Sequence, residues 1–147
     1  MQKIYKENLM KTCWTKHLTD EQKAVCEHGG TEYPHTGEYN NHFEKGVYAC
    51  ICCNQALFDG SNKFQTGCGW PAFVKPIENS VRYLVDESHG MKRTEVRCNK
   101  CDSHLGHVFD DGPQPTGLRY CINSAALKFI PVEALAQEGY ENLLAEF

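Results

Sequence analysis

The chain has 147 residues, 41% of them apolar and 23% charged, enough for one compact domain and too few for two of ordinary size. Fifteen Lys and Arg against nineteen Asp and Glu give a formal charge of -4, so no basic field exists to hold a phosphate backbone or an anionic bilayer. The first residues carry no apolar leader, and the longest apolar run, Val47 to Cys53, falls far short of the roughly 18 residues of a membrane span; a cytoplasmic protein with no nucleic-acid or membrane partner is expected.

In chain order, residues 1–45 read as a helical and loop arm, 46–130 as a β core and 131–147 as a closing helix and tail, all within one domain. Thr19 and Gln22 fit a capping box, Asp20 and Glu21 suit a first turn and Gly29-Gly30 supplies a stop, predicting a helix near residues 19–28. From Gly46 the pattern changes to short strands separated by Gly, Asn, Asp and Pro: 47–51, 80–86, 94–98, 105–109, 119–124 and 127–130. No helical segments alternate with them, so the sheets are expected to be antiparallel. Pro131, followed by Val132, Leu135, Ala136 and then Gly139, predicts a short closing helix. The fold class is mainly β with short peripheral helices.

Nine cysteines are the compositional anomaly. In a reducing compartment such density points to metal binding or redox chemistry rather than a disulfide framework. Cys50 and Cys53 form one C-x-x-C and Cys98 and Cys101 another; two such turns facing each other make the closed tetrahedral shell of a structural zinc and would pin two strands together. A thioredoxin-type C-x-x-C wants a βαβ context that is not visible, and four buried free thiols are the plain alternative. Cys52 can compete with Cys53 as a ligand but lacks the knuckle spacing. A closed shell leaves no position for substrate, so the metal is not expected to be the catalyst. Cys13 and Cys26, in the arm, read as packing residues.

Cys68 and Cys121 have more suggestive neighbours. Strand alternation over Arg119 to Asn123 puts Arg119, Cys121 and Asn123 on one face, where a guanidinium would favour the thiolate and lower the thiol pKa. The competing reading pairs Arg119 with a carboxylate and buries Cys121 as packing. Cys68 lies between Gly67 and Gly69, beside Trp70, which suits a loop thiol against an aromatic wall and equally a packed turn. His104 and His107 are candidate proton donors; strict alternation separates them, whereas a bulge at Gly106 brings both to one pocket.

Seven segments carry a family resemblance: His28-Gly-Gly-Thr-Glu, Thr36-Gly-Glu, Gly67-Cys-Gly-Trp-Pro-Ala-Phe73, Arg93-Thr-Glu-Val-Arg-Cys98, Asp102-Ser-His-Leu-Gly-His-Val-Phe109, Asp111-Gly-Pro113 and Leu118-Arg-Tyr-Cys-Ile-Asn-Ser-Ala-Ala-Leu127. In order and spacing, across about residues 19–130, the chain resembles the B-type methionine sulfoxide reductases, which act on the R epimer. Ala72, Asp110 and His35 depart from the family's usual Ser, Pro and Phe without removing a reacting group. The resemblance implies two antiparallel sheets and a set of roles. Cys121 attacks the sulfoxide sulfur, His104 and His107 supply or relay the proton, and Trp70 receives the methyl group. Arg119 stabilises the thiolate, with Asn123 and Asp111 as polar groups of the pocket. Cys68 then resolves the sulfenic acid to a disulfide that thioredoxin reduces, and the substrates are oxidised proteins or peptides, with the free amino acid left open. A different class, a zinc-stabilised binding module without turnover, is the alternative; the reactivity of Cys121 discriminates the two.

Overall fold

The computed structural model describes residues 16–146, so Cys13 lies outside the described residues. Helix α1 (Asp20–Cys26) starts where the capping box places it: the Gln22 amide donates to Thr19 Oγ1 at 3.2 Å and the Thr19 amide donates to Gln22 Oε1 at 2.9 Å. Two of the four orphan donors of the first turn are satisfied that way. Val25 and Cys26 are the buried residues of the helix.

Eight strands follow: β1 (Gly46–Cys50), β2 (Ala56–Asp59), β3 (Ala72–Phe73), β4 (Val81–Asp86), β5 (Arg93–Cys98), β6 (His104–Phe109), β7 (Arg119–Ile122) and β8 (Leu127–Pro131). They form two antiparallel sheets, one in the order β2-β1-β8 and the other in the order β3-β7-β6-β5-β4. Strand β1 is buried at every position because both of its faces are covered. Tyr48 and Cys50 enter the main core, whereas Val47 and Ala49 pack with Ile130 and Leu135 in a smaller one. The unbroken apolar run from Val47 follows from that double burial.

Aromatic side chains join the sheets. Phe58 of β2 stacks on Phe73 of β3 with ring centroids 4.3 Å apart, Tyr48 meets Phe73 edge-on at 5.3 Å, and Tyr120 of β7 meets Phe58 at 6.0 Å. Each such pair contributes about 0.5–1.5 kcal/mol beyond its buried area.

Strands β2 and β3 lie outside the sequence expectation. Strand β2, Ala-Leu-Phe-Asp, is buried at three successive positions and shows no alternation, and β3 has only two residues. Strand β7 ends at Ile122, two residues early, because the chain turns into a 3-10 segment over Ser124–Ala126. The expected closing α-helix is also absent: Pro131 completes β8, and the chain beyond it forms 3-10 turns over Val132–Ala134 and Glu141–Glu146. Gly139, at φ +90°, stops the intervening turn, and the segment before it follows the smaller core rather than a helical path. Ala134, Leu135, Tyr140 and Leu143 use this path to cover the smaller core.

Candidate active site

Cys121 lies mid-strand in β7, opposite Ala72 of β3 on one side and His107 of β6 on the other; His107 is in turn opposite Glu95 of β5. Directly opposed residues of a ladder share a face, so Cys121, His107 and Glu95 form one row across the sheet. The period of two adds Arg119 and Asn123 to the same side. His104 joins them through a bulge. Arg97 is opposite His104 but Val96 is opposite Gly106, leaving Leu105 as the extra residue that resets the alternation of β6. The two imidazole centroids are 5.5 Å apart as a result. Gly106 itself is needed for close approach, since a Cβ there would come within 2.0 Å of the Cys121 carbonyl oxygen.

A cleft of about 230 Å³ opens over this row, lined by Cys68, Trp70, His107, Phe109, Arg119 and Cys121 together with Thr31, Arg93, Gly106 and Asn123. Its size suits one side chain better than a large ligand. Cys68 and Cys121 place their sulfurs 3.7 Å apart, and Cys68 Sγ also donates to the Trp70 carbonyl at 3.3 Å. The Trp70 indole Nε1 donates to the Glu32 carbonyl at 3.0 Å, which fixes the ring. Asn123 spends its amide on the backbone: Nδ2 donates to the Leu105 carbonyl and Oδ1 accepts from the Glu32 amide, both at 3.0 Å. It shapes the wall of the cleft by holding its neighbours.

Asp111 lies apart from the lining residues, exposed, with its carboxylate taking Arg119 Nε at 2.9 Å and Nη2 at 3.2 Å. The Arg119 guanidinium also covers the Phe109 ring at 4.5 Å. Arg119 therefore both lines the cleft and pairs with a carboxylate. Its charge does not dominate the nearby thiol: burial pushes Cys121 up to about 12, adjacent Cys68 adds to the rise, and Arg119 opposes it. The expected depressed pKa is thus reversed in the resting dithiol, because desolvation of the sulfur outweighs a guanidinium already shared with Asp111.

Each histidine carries a carboxylate partner that the sequence reading did not single out. His107 Nε2 lies 2.7 Å from Asp86 Oδ2, and burial lowers the His107 pKa against the opposing pull of that carboxylate. A neutral ring donating from Nε2 to Asp86 leaves Nδ1 as an acceptor. His104 is buried behind the cleft lining, with Nδ1 at 2.6 Å from Glu95 Oε2 and a buried Nε2 that has no protein partner. Burial would raise the Glu95 carboxyl, but hydrogen bonds from His104 and Arg97 win and hold it down at about 2. Both carboxylates were visible as charges inside strands. Glu95 in particular sits in a strand position that buries it, where an acidic side chain requires a partner.

The other four paired cysteines converge at the far end of the sheets. Cys50, Cys53, Cys98 and Cys101 bring their sulfurs within 4.8 Å of one another, with Cys50 to Cys101 and Cys53 to Cys98 both at 3.6 Å. A tetrahedral Zn–S shell has sulfur-to-sulfur edges of about 3.8 Å, so the donor set fits zinc in both chemistry and spacing. The two turns are built alike. In each the residue after the second Cys is left-handed, Asn54 at φ 67° and Asp102 at φ 67°, and its amide donates to the first Cys carbonyl at 2.9 Å. Cys52 and Cys26 are buried and outside this cluster.

Residues 18–131 match the SelR domain model. The chain belongs to the SelR domain family. The SelR domain spans α1 through β8 and includes every cysteine of the cleft and of the four-thiol cluster. The chain is 53% identical over 129 residues to the peptide methionine sulfoxide reductase MsrB of Hahella chejuensis, covering 87% of this chain and 93% of that one. It is 56% identical over 121 residues to the MsrB of Pseudomonas paraeruginosa, covering 82% and 92%, and 57% identical over 128 residues to an MsrB of Pseudomonas fluorescens, covering 85% and 98%.

Proposed function

We propose that this SelR domain is a peptide-methionine (R)-S-oxide reductase that acts on oxidised proteins or peptides and on the free amino acid, with Cys121 as nucleophile and Cys68 as resolving thiol. The observation that carries the reading is the pair of sulfurs 3.7 Å apart in a side-chain-sized cleft, beside a histidine whose Nε2 is 2.7 Å from a carboxylate oxygen. Removing the oxygen of a sulfoxide takes a nucleophile at sulfur and a proton on the departing oxygen. Cys121 enters as the thiol. Its sulfur bonds to the substrate sulfur while its proton passes, through His107 with His104 behind it, to the sulfoxide oxygen. Transfer of that hydroxyl to Cys121 forms its S–OH bond and breaks both the substrate S–O bond and the bond between the two sulfurs, releasing methionine and leaving a sulfenic acid. Cys68 attacks it, water departs and a disulfide remains; exchange with a thioredoxin dithiol returns both thiols. Trp70 receives the methyl group, and Arg119, itself oriented by Asp111, stabilises negative charge on sulfur as the proton leaves.

Cys50, Cys53, Cys98 and Cys101 hold one structural zinc in this reading. The metal would tie the β1–β2 turn to the β5–β6 turn and so join the two sheets. No helix among the described residues is long and apolar enough to cross a membrane, and catalysis by free thiols suits the reducing cytosol. A non-catalytic binding module gives the paired sulfurs no purpose. The deciding assay supplies thioredoxin, its reductase and NADPH with the separated R and S epimers, free and in a peptide. Turnover of R alone supports the reading, and no turnover of either epimer refutes it.

A further inference from the structure

Glu32 belongs to no sheet and is 6% exposed, yet it makes four hydrogen bonds to two separated parts of the chain, Trp70 and the run from Asn123 to Ala125. Its amide donates to Asn123 Oδ1 at 3.0 Å and its carbonyl accepts from Trp70 Nε1 at 3.0 Å. Its carboxylate caps the 3-10 turn after β7: the Ser124 amide donates to Oε2 at 3.0 Å and the Ala125 amide to Oε1 at 2.9 Å. We propose that Glu32 is a positioning residue, whose carboxylate anchors its own backbone against the turn following β7 so that this backbone sets Trp70 and Asn123 in the cleft. The inference rests on the proposed function, in which that indole meets the substrate methyl.

The packing around the carboxylate has one arrangement. A Cβ at Gly37 would come within 2.3 Å of both Glu32 Oε2 and Ser124 Oγ, so the chain closes over Glu32 only with glycine there. Ser124 Oγ in turn accepts from the Tyr39 amide at 3.2 Å, locking the covering segment. Burial of the carboxylate is unfavourable and raises its pKa, and the two backbone donors offset part of that cost. An apolar residue of similar size would spare the burial penalty but leave both amides unpaired. Removing the acceptor at either end therefore frees the strap that bears on Trp70, while leaving Cys121 and both histidines in place.

The test uses Glu32→Gln in a Trp14→Phe background, so that Trp70 is the sole emitter of the two tryptophans. Gln turns an amide group toward one of the two backbone donors. Loss of one such buried bond predicts a rise of about tenfold in KM for a peptide R-sulfoxide, and stronger acrylamide quenching of Trp70. The peptide-resolved alkylation rate of Cys121 should stay within about twofold of the parent, because no bond to β7 upstream of Asn123 is touched. Gly37→Ala displaces the carboxylate without removing it and repeats the test if the first variant does not fold. Parental KM and quenching in a folded variant, with only the melting temperature reduced, would assign Glu32 a purely structural role and overturn the proposal. Quenching needs no turnover. A parent protein inactive on the R epimer would therefore defeat the proposed function while the Trp70 readout still judged the positioning claim.

Discussion

Replacing Arg119 by Gln tests how the cleft activates a thiol that burial holds up at about 12. Two residues along a strand are about 6.7 Å apart, and at an effective dielectric of about 20 a guanidinium at that distance favours a thiolate by about 2.5 kcal/mol. An isolated charge would thus change the thiolate population by nearly a hundredfold. Asp111 lies on the guanidinium at 2.9 and 3.2 Å and cancels part of its field, so the expected change is about tenfold. The assay is the iodoacetamide rate at Cys121, read from its own peptide in a Cys68→Ser background across about pH 7–10. The parent rate should climb through that range with no plateau near the ordinary thiol value. Arg119→Gln should slow it about tenfold at each pH, and Asp111→Asn, by releasing the guanidinium, should speed it. Superimposable curves for all three proteins would refute the electrostatic argument and leave activation to substrate binding alone.

Glu95→Gln removes the carboxylate that orients His104, and activity should fall roughly tenfold to a hundredfold with little change in KM. The same carboxyl is about 2 in the folded protein against 4.5 for an ordinary Glu, so it stabilises the fold above pH 4.5 and loses that contribution as pH falls toward 2. Urea midpoints across that window should show about 3 kcal/mol of acid sensitivity that Glu95→Gln lacks. Elemental analysis should find about one zinc per chain, retained in Cys52→Ser and lost in Cys53→Ser. Chelation should reduce far-UV signal and activity together; an active, metal-free preparation would exclude the structural-zinc reading.

How much of this was readable in advance varied with the range of the interactions. The capping box of α1 and the strands with clear alternation are local features, and the structure has them within a residue or two. The two C-x-x-C turns were legible because the spacing alone determines a knuckle, and the structure brings their four sulfurs together. Strand β2 is buried on successive positions and so lacks a period, β3 has too few residues for one, and the tail after Pro131 has helical composition but answers to the small core it must cover. The site divides in the same way. Cys68, Trp70 and Cys121 stand in distinctive local segments. The partners of the histidines do not: Asp86 and Glu95 reach His107 and His104 only through the register of β4, β5 and β6 and the bulge at Leu105. The pKa of Cys121 runs against the sequence expectation because alternation reveals a neighbouring cation but neither the burial of the sulfur nor the carboxylate that occupies that cation.

The most direct test of the central claim is a single turnover without reductant. Reduced protein is mixed with one equivalent of a peptide R-sulfoxide, quenched in acid, alkylated and digested. The sulfurs of Cys68 and Cys121 need to close from 3.7 Å to about 2.05 Å, a movement within reach of a loop between Gly67 and Gly69. The account predicts about one methionine per chain and a peptide pair joined by a Cys68–Cys121 disulfide. Cys68→Ser should still release its methionine but form no such pair and stall under thioredoxin, while Cys121→Ser should release none. Methionine formed by Cys121→Ser, or a disulfide joining other cysteines in the parent, would contradict it.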